Sequence, residues 1–320
     1  MNLEYFLNPT LKVLNLTHYD LDGAASHLVL KNVYHDITYI EMRYGYVEES
    51  VGEQIPAISD GYDCIIASDY YPEKIMGILR GTGLPILVLD HHPTAMKYND
   101  PANGIIIDTS KCGAMLCYDF FKAHFDLIHL SVLIGYVDVF DRWQKNDPRF
   151  AKAQEITELF KEKYTFDSWI QAYSDGHTEM TPEESEWLKQ HAIDLDKEYS
   201  SLDIKDLPGN GALTYFAEHT TEMTLKLQQS GKYKYYINLN KSHGNPNADA
   251  ISIAFRGFDP IIDFSKYTKR FENEVPGVLS CGGHALASGA DCRDMESAMN
   301  LVMHMVEEIV KQINGSASEV

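Results

Sequence analysis

The stretch Lys12-Val13-Leu14-Asn15-Leu16-Thr17-His18-Tyr19-Asp20-Leu21-Asp22-Gly23 runs from a mostly apolar segment into an acidic turn, and a helical pattern follows as far as Tyr34. Lys12–Thr17 therefore reads as a strand and Gly23–Tyr34 as a helix. The same alternation continues downstream. Ile37–Met42 and Tyr62–Ser68 read as strands, and a helix is expected from about Pro72 to Leu79, with the proline in its first turn. Pro85–Leu89 and Gly104–Ile107 complete five strands. Nearly continuous apolar strands separated by helices imply an α/β fold, with a mostly parallel five-stranded sheet flanked by helices on both faces.

Three of these strands end in acid or histidine. The first ends in Thr17-His18-Tyr19-Asp20-Leu21-Asp22-Gly23, the second in Ala67-Ser68-Asp69, and the third in Leu89-Asp90-His91-His92-Pro93. An open parallel sheet binds its ligand outside the carboxyl ends of the strands, so the three clusters are expected at one edge. Carboxylates and imidazoles are ligands for Mn, Mg, Fe or Co rather than for a thiolate-selected metal. Asp20 and Asp22, two residues apart at a strand end, can reach two adjacent ions. A bridging Asp69 would hold such a pair about 3.5–4 Å apart, the spacing used for in-line phosphoryl chemistry. Gly23 would let backbone N–H groups approach an anion. Each cluster also has a plainer reading. A lone Asp after a strand caps a helix, Asp-x-Asp-Gly forms turns, and a His-His pair sits on many surfaces. The stretch also lacks the glutamate that an EF-hand loop needs at its twelfth position. Helix caps alone do not explain three acid-rich strand ends in succession.

From Cys112 to about Arg142 the pattern is helical, and Phe150 to about Leu202 is helical and charged. Glu183, Glu184, Glu186, Lys189 and Asp194 fit a solvated helix face. Asp206-Leu-Pro-Gly-Asn-Gly211 is the clearest break, so the expected division is residues 1–205, including a helical connector from about 150, and residues 206–320. The second part has strands at Ala212–Ala217, Tyr233–Leu239 and Ile251–Phe255. Helices are expected near Thr221–Gln229, Asp263–Phe271 and Met295–Ile313, making a smaller α/β domain.

The chain has 320 residues, a net charge of −20 and five cysteines with no CxxC pair. The charge argues against a protein that coats long duplex nucleic acid, though not against a small phosphate-bearing substrate. The cysteines read as buried free thiols rather than a disulfide framework or zinc site. No segment has the ~18 apolar residues of a membrane span, and the N-terminus lacks the pattern of a signal peptide. The expectation is a cytoplasmic protein with no membrane partner, and a homodimer is left open.

The order His-x-Asp-x-Asp-Gly, a lone Asp after the third strand, then Asp-His-His resembles the DHH phosphoesterases. Ser280-Cys281-Gly282-Gly283-His284-Ala285-Leu286-Ala287-Ser288-Gly289 is similar to the GGGH signature of the DHH-associated domain, with Cys281 in place of the first glycine and Ser288 in place of an alanine. Asp108-Thr-Ser-Lys-Cys-Gly-Ala114 resembles the segment that opens the helix after the last strand in that family. The resemblance implies a DHH domain followed by a DHH-associated domain, with the active site in the cleft between them. It implies that Asp20 and Asp22 each ligate one metal, that Asp69 bridges, that His91 completes the second site and that His18 is the third ligand of the first. Asp138 or Asp141, on one helix face, is the family's further acidic ligand, with Asp138 the first choice. His92 binds or protonates the phosphate or braces His91, and Asp90 supports the site or ligates metal. Arg256, Gly282, Gly283 and His284 hold the substrate. The cofactor implied is two Mn²⁺ ions, or Mg²⁺ or Co²⁺.

By the same resemblance the chain is a hydrolase: a phosphodiesterase or exonuclease for short oligonucleotides, 3′,5′-bisphosphorylated adenosine (pAp) or cyclic dinucleotides. The acidity favours short substrates over long strands, which need a basic groove. The alternative is a nucleotide-binding sensor or sequestering protein with weak or no turnover.

Overall fold

The computed structural model describes residues 2–43, 46–242, 249–283 and 285–317. The chain forms two compact units, Met1–Leu188 and Lys189–Val320. The helix Pro182–Ser201 runs from the first unit into the second.

The first unit holds strands β1 (Lys12–His18), β2 (Asp36–Met42), β3 (Cys64–Ser68), β4 (Ile86–Asp90) and β5 (Ile105–Ile107). All are parallel, in the order β2-β1-β3-β4-β5. The chain moves outward from β1 to β2 and then crosses to the other side of β1. The reversal of strand order therefore lies between β1 and β3, where a doubly wound sheet opens its crevice.

Both sheet faces are covered, as the apolar strands require. Val13, Ile66, Leu87 and Leu89 pack on one side with helices α1 (Leu21–Lys31), α4 (Gly113–Phe121) and α5 (Ser131–Asp141). Leu14, Leu16, Ile65, Ala67 and Val88 pack on the other, with α2 (Tyr46–Ile58) and α3 (Met76–Gly81). Each Leu buried from extended chain contributes roughly 2 kcal/mol. Helices α6 (Phe150–Glu158), α7 (Phe166–Ala172) and the first half of α8 (Pro182–Ser201) complete the unit.

Helix α2 was not anticipated. Its apolar residues Val51, Ile55 and Ile58 are spaced at helical intervals, but they stand among glutamates that dilute the pattern. Helix α3 begins at Met76 rather than near Pro72. The intervening turn is tied to α2 by Glu48, which is buried and accepts the Lys74 N–H at 2.8 Å.

The second unit carries β6 (Lys205–Leu207), β7 (Gly211–Tyr215), β8 (Tyr235–Lys241), β9 (Ile251–Gly257), β10 (Val278–Gly283) and β11 (Ala287–Cys292). Their order is β10-β11-β9-β8-β7-β6, antiparallel except for β7 with β8. Helices α9 (Thr220–Gln229), α10 (Ser265–Glu274) and α11 (Met295–Ala317) belong to it. Ala298, Leu301, Val302, Met305, Val306 and Ile309 give α11 one buried stripe against the sheet core. All five cysteines are buried and free. Among the described residues no helix is long and apolar enough to cross a membrane.

One polar residue lies deep in the first core. Asn15 on β1 is fully buried, and its Nδ2 donates to Ile66 O and to Ser68 Oγ, both at 2.9 Å. Its Oδ1 lies 2.9 Å from His27 Nδ1 on α1. Burial pushes the His27 pKa down to about 4, so the ring is neutral and donates this bond. The network ties β1, β3 and α1 together directly behind the strand ends. Asn15→Ala should cost about 2 kcal/mol in urea unfolding, because Ile66 O, Ser68 Oγ and His27 Nδ1 each lose this partner. A loss within the error of the measurement would mean the network contributes nothing.

Candidate metal centre

The ends of β1, β3 and β4 bring together His18, Asp20, Asp22, Asp69, Asp90, His91 and His92, and α5 adds Asp141. Each is set by its local backbone. Asp20 caps α1 by accepting the Gly23 N–H at 3.1 Å, so the helix starts immediately after the strand. A Cβ at Gly23 would lie 1.9 Å from the His18 carbonyl oxygen, so only glycine allows this tight turn. Asp22, two residues on in the first turn of α1, meets α4, whose Gly113 and Ala114 N–H groups donate to its two oxygens at 2.7 Å each. The positive end of α4 therefore holds this carboxylate.

Asp69 ends β3 with φ 55°, a left-handed conformation that costs a non-glycine residue roughly 1–2 kcal/mol. The conformation is fixed by the Asp69 N–H on Leu89 O at 2.8 Å and by Gly113, where a Cβ would come within 2.4 Å of Asp69 Cβ. Asp69 is fully buried, and among the described residues neither carboxylate oxygen receives a hydrogen bond. Its polar neighbours are imidazoles: His91 Nε2 at 3.1 Å from Oδ1 and His18 Nδ1 at 3.8 Å from Oδ2. His18 Nδ1 lies 2.9 Å from Asp20 Oδ2. His91 Nε2 is 3.5 Å from Asp22 Oδ2, and its Nδ1 is 3.7 Å from Asp141 Oδ2.

Asp90 is turned to a different task. Its Oδ1 accepts from His91 N at 2.8 Å, His92 N at 3.3 Å and His92 Nδ1 at 2.7 Å. It thereby fixes the His92 ring through Nδ1, which leaves Nε2 as the other nitrogen. The two acids of α5 are equally distinct. Asp141 reaches the cluster beside His91, whereas Asp138 accepts the Cys112 N–H at 2.9 Å at the start of α4 and lies 3.8 Å from Arg142. Sequence reasoning missed the second part of this arrangement: consecutive N–H groups of Cys112, Gly113 and Ala114 each meet a carboxylate. The signal was the Cys-Gly-Ala start of α4, whose glycine has no other local reason.

Ligand atoms of Asp69, His91 and His92, of His18, Asp20 and Asp69, and of Asp22, His91 and Asp141 lie within 4.8 Å of one another in each set. Asp69 and His91 each belong to two of the three sets. The orphaned oxygens of Asp69 and Asp90 Oδ2, the oxygen-rich donor set and the crowded negative charge all fit divalent cations.

In the second unit Arg256 lies on β9 opposite Ala287 of β11 and donates to Phe255 O at 2.9 Å and Ser288 O at 3.2 Å. Gly282 and Gly283 close β10, opposite Gly289 and Ser288. Gly283 has φ 128°, and a Cβ there would meet Ala287 O at 2.6 Å, whereas Gly282 faces open space. Arg256 on β9 and the glycine pair on β10 therefore flank β11 from opposite sides. His284 lies outside the described residues.

Charge crowding is visible in the titration of the first site. Burial, followed by the charges of Asp22, Asp20, Asp141 and Asp90, pushes the Asp69 carboxyl well above the carboxylate range. Burial and the Asp22 charge push Asp141 to about 8. Burial opposes a charge on His18 and His91, but nearby carboxylates, Asp20 for the first and Asp141 for the second, outweigh it and raise both. Burial likewise opposes ionisation of Asp20 and Asp90, but the bonds from His18 and His92 outweigh it and hold both low.

The folded metal-free chain therefore keeps protons on Asp69 and Asp141 that the unfolded chain releases above about pH 4. Stability must fall as pH rises while the folded state binds more protons, and for Asp141 the fall ends near pH 8. The raised histidines act in the same direction. The stability contributed by Asp20 and Asp90 is complete by about pH 5, just above the unfolded carboxylate range. His27, lowered to about 4, opposes the fall up to about pH 6.5, so in chelator Tm should decline between about pH 6.5 and 8, and Asp141→Asn should flatten the decline. A flat or rising Tm in the parent chain would contradict this charge distribution.

No protein-family profile matches the chain. A curated relative, the 3′,5′-cyclic-nucleotide phosphodiesterase of Helicobacter pylori, is 27% identical over 153 residues, covering 42% of this chain and 44% of the relative. The match thus spans less than half of that protein. Among solved structures, the Mn²⁺ complex of RecJ from Thermus thermophilus aligns with TM-score 0.60 and 12% identity, over 97% of this chain and 53% of that one. The pGpG-specific phosphodiesterase PggH of Vibrio cholerae aligns with TM-score 0.52 and 15% identity, over 93% of this chain and 98% of that one. At such identities these structures bear on the fold, and the parallel five-stranded sheet followed by a mixed sheet agrees with them. The chain has the fold of the RecJ and PggH structures.

Proposed function

We propose that the chain is a divalent-metal-dependent phosphodiesterase acting on short oligonucleotides or small nucleotides such as a linear or cyclic dinucleotide. The observation that carries the proposal is the buried Asp69 carboxylate, which has no hydrogen bond of its own and lies between two histidines at a sheet edge lined with acids. The nearby H. pylori and V. cholerae names, both phosphodiesterases, support a nucleotide diester as the substrate class. RecJ, whose structure contains Mn²⁺, supports the choice of ion.

In this reading His18, Asp20 and Asp69 hold one ion, and Asp22, Asp69, His91 and Asp141 hold the other. Asp141 is preferred to Asp138 because only Asp141 reaches His91, while Asp138 is occupied with the start of α4. Bound ions supply Lewis acidity that activates water and offsets charge on the phosphate. The protein's own groups do the rest. Asp90 holds the His92 ring through Nδ1, so that Nε2 meets a phosphate oxygen or the leaving oxygen. The N–H groups of α4 keep Asp22 ionised and oriented. Arg256, Gly282, Gly283 and His284 are proposed to bind substrate through the second unit. The net charge of −20 favours ligands short enough to reach one acidic site without a basic track.

The test is turnover of pGpG, a 5′-labelled dinucleotide, pAp and cyclic dinucleotides under Mn²⁺. Asp69→Ala and His91→Ala should each lower turnover by more than about a hundredfold, and Asp90→Asn, acting through His92, by about 10–100-fold. Tight binding without product under any divalent ion would replace this reading with that of a nucleotide sensor.

A further inference from the structure

Tyr19 lies between two of the metal-type residues, His18 and Asp20, yet nothing above uses it. It is a large side chain left 41% exposed. The β1–β2 register explains its neighbour. His18 pairs with Met42, so the next residues, Tyr19 and Arg43, leave the two parallel strands side by side. The Arg43 guanidinium lies over the Tyr19 ring, 3.9 Å from its centroid. The same ring meets the His18 ring edge to face at 4.8 Å. Arg43, Tyr19 and His18 thus form a continuous contact from the β2 edge to the acidic cluster.

We propose that Arg43, clamped on Tyr19, is a phosphate-recognition residue that binds a phosphate of the substrate other than the one cleaved. A guanidinium held over an aromatic ring leaves the N–H groups in its own plane able to donate outward, and that fork grips a phosphate through two bonds. Arg43 makes no ion pair among the described residues. Glu41, two residues back, feels its charge without forming one. A rim cation has a purpose here that it would lack elsewhere. The cluster beside it is dominated by carboxylates and repels a polyanion until metal is bound, so a fixed positive group one strand away gives the second phosphate a defined place. The ligand is therefore a nucleotide with at least two phosphates, one of them terminal or bridging. This assignment rests on the phosphodiesterase reading.

The experiment is calorimetric titration of the full chain with pGpG and with GpG, with Ca²⁺ replacing Mn²⁺ so that binding is read without turnover. The wild type should prefer the 5′-phosphorylated ligand by about tenfold or more, the effect of a charge-assisted phosphate contact. Arg43→Gln and Tyr19→Leu should bring that ratio close to one, and Tyr19→Phe should restore it because the ring face remains. A ratio in Arg43→Gln equal to that of the wild type, or a wild type that binds neither ligand or both alike, overturns the assignment. Failure of the wild type to cleave any diester under Mn²⁺ would sink the parent reading instead, and the binding ratio would still decide the role of Arg43.

Discussion

The structure of the first unit is organised around one costly arrangement, a buried carboxylate at Asp69 whose oxygens receive no hydrogen bond among the described residues and face the His91 and His18 rings. Holding it there requires a left-handed backbone at Asp69, a glycine at 113 where a Cβ would collide with it, and an ordered polar network through Asn15, His27 and Ser68 behind it. Burial and neighbouring acids make the ionised state unfavourable in the metal-free protein. Capping accounts singly for Asp20, Asp22 and Asp90, but not for their gathering with Asp141 around such a group. A divalent cation would give that gathering a reason, because it would replace protons with a positive charge beside these acids.

Much of the first sheet was legible in the sequence because strands buried on both faces, as β1, β3 and β4 are, read as apolar runs, and all five strands lie near their expected positions along the chain. The acidic strand ends were legible for the same reason: polar residues stand out at the boundary of an apolar run. Helix α2 was not, since its buried positions alternate with glutamates and a proline. In the second unit β7, β8 and β9 were read from their β-branched and aromatic residues. β10 and β11 were hidden, because Gly282, Gly283, Ser288 and Gly289 erase the alternation that marks a strand. Their pairing depends on backbone bonds to β9 and to each other, which leave no imprint on side-chain pattern.

The separate tasks of Asp138 and Asp141 show where sequence reasoning ends. Three residues apart on one helix, they share a face and a chemistry. Only the position of α4 distinguishes them, by offering Cys112 N–H to one and leaving the other beside His91. Tyr19 and Arg43 are a parallel case. They are far apart in sequence and become neighbours only through the register of β1 against β2.

The claim on which the account rests is that the Asp69 carboxylate is shared by two cations. Diffraction from crystals soaked in Mn²⁺, measured at the manganese absorption edge, tests it most directly. The account predicts two anomalous peaks at the ends of β1, β3 and β4, each within coordinating distance of one Asp69 oxygen. The absence of any peak there, or peaks confined to surface carboxylates, would contradict it.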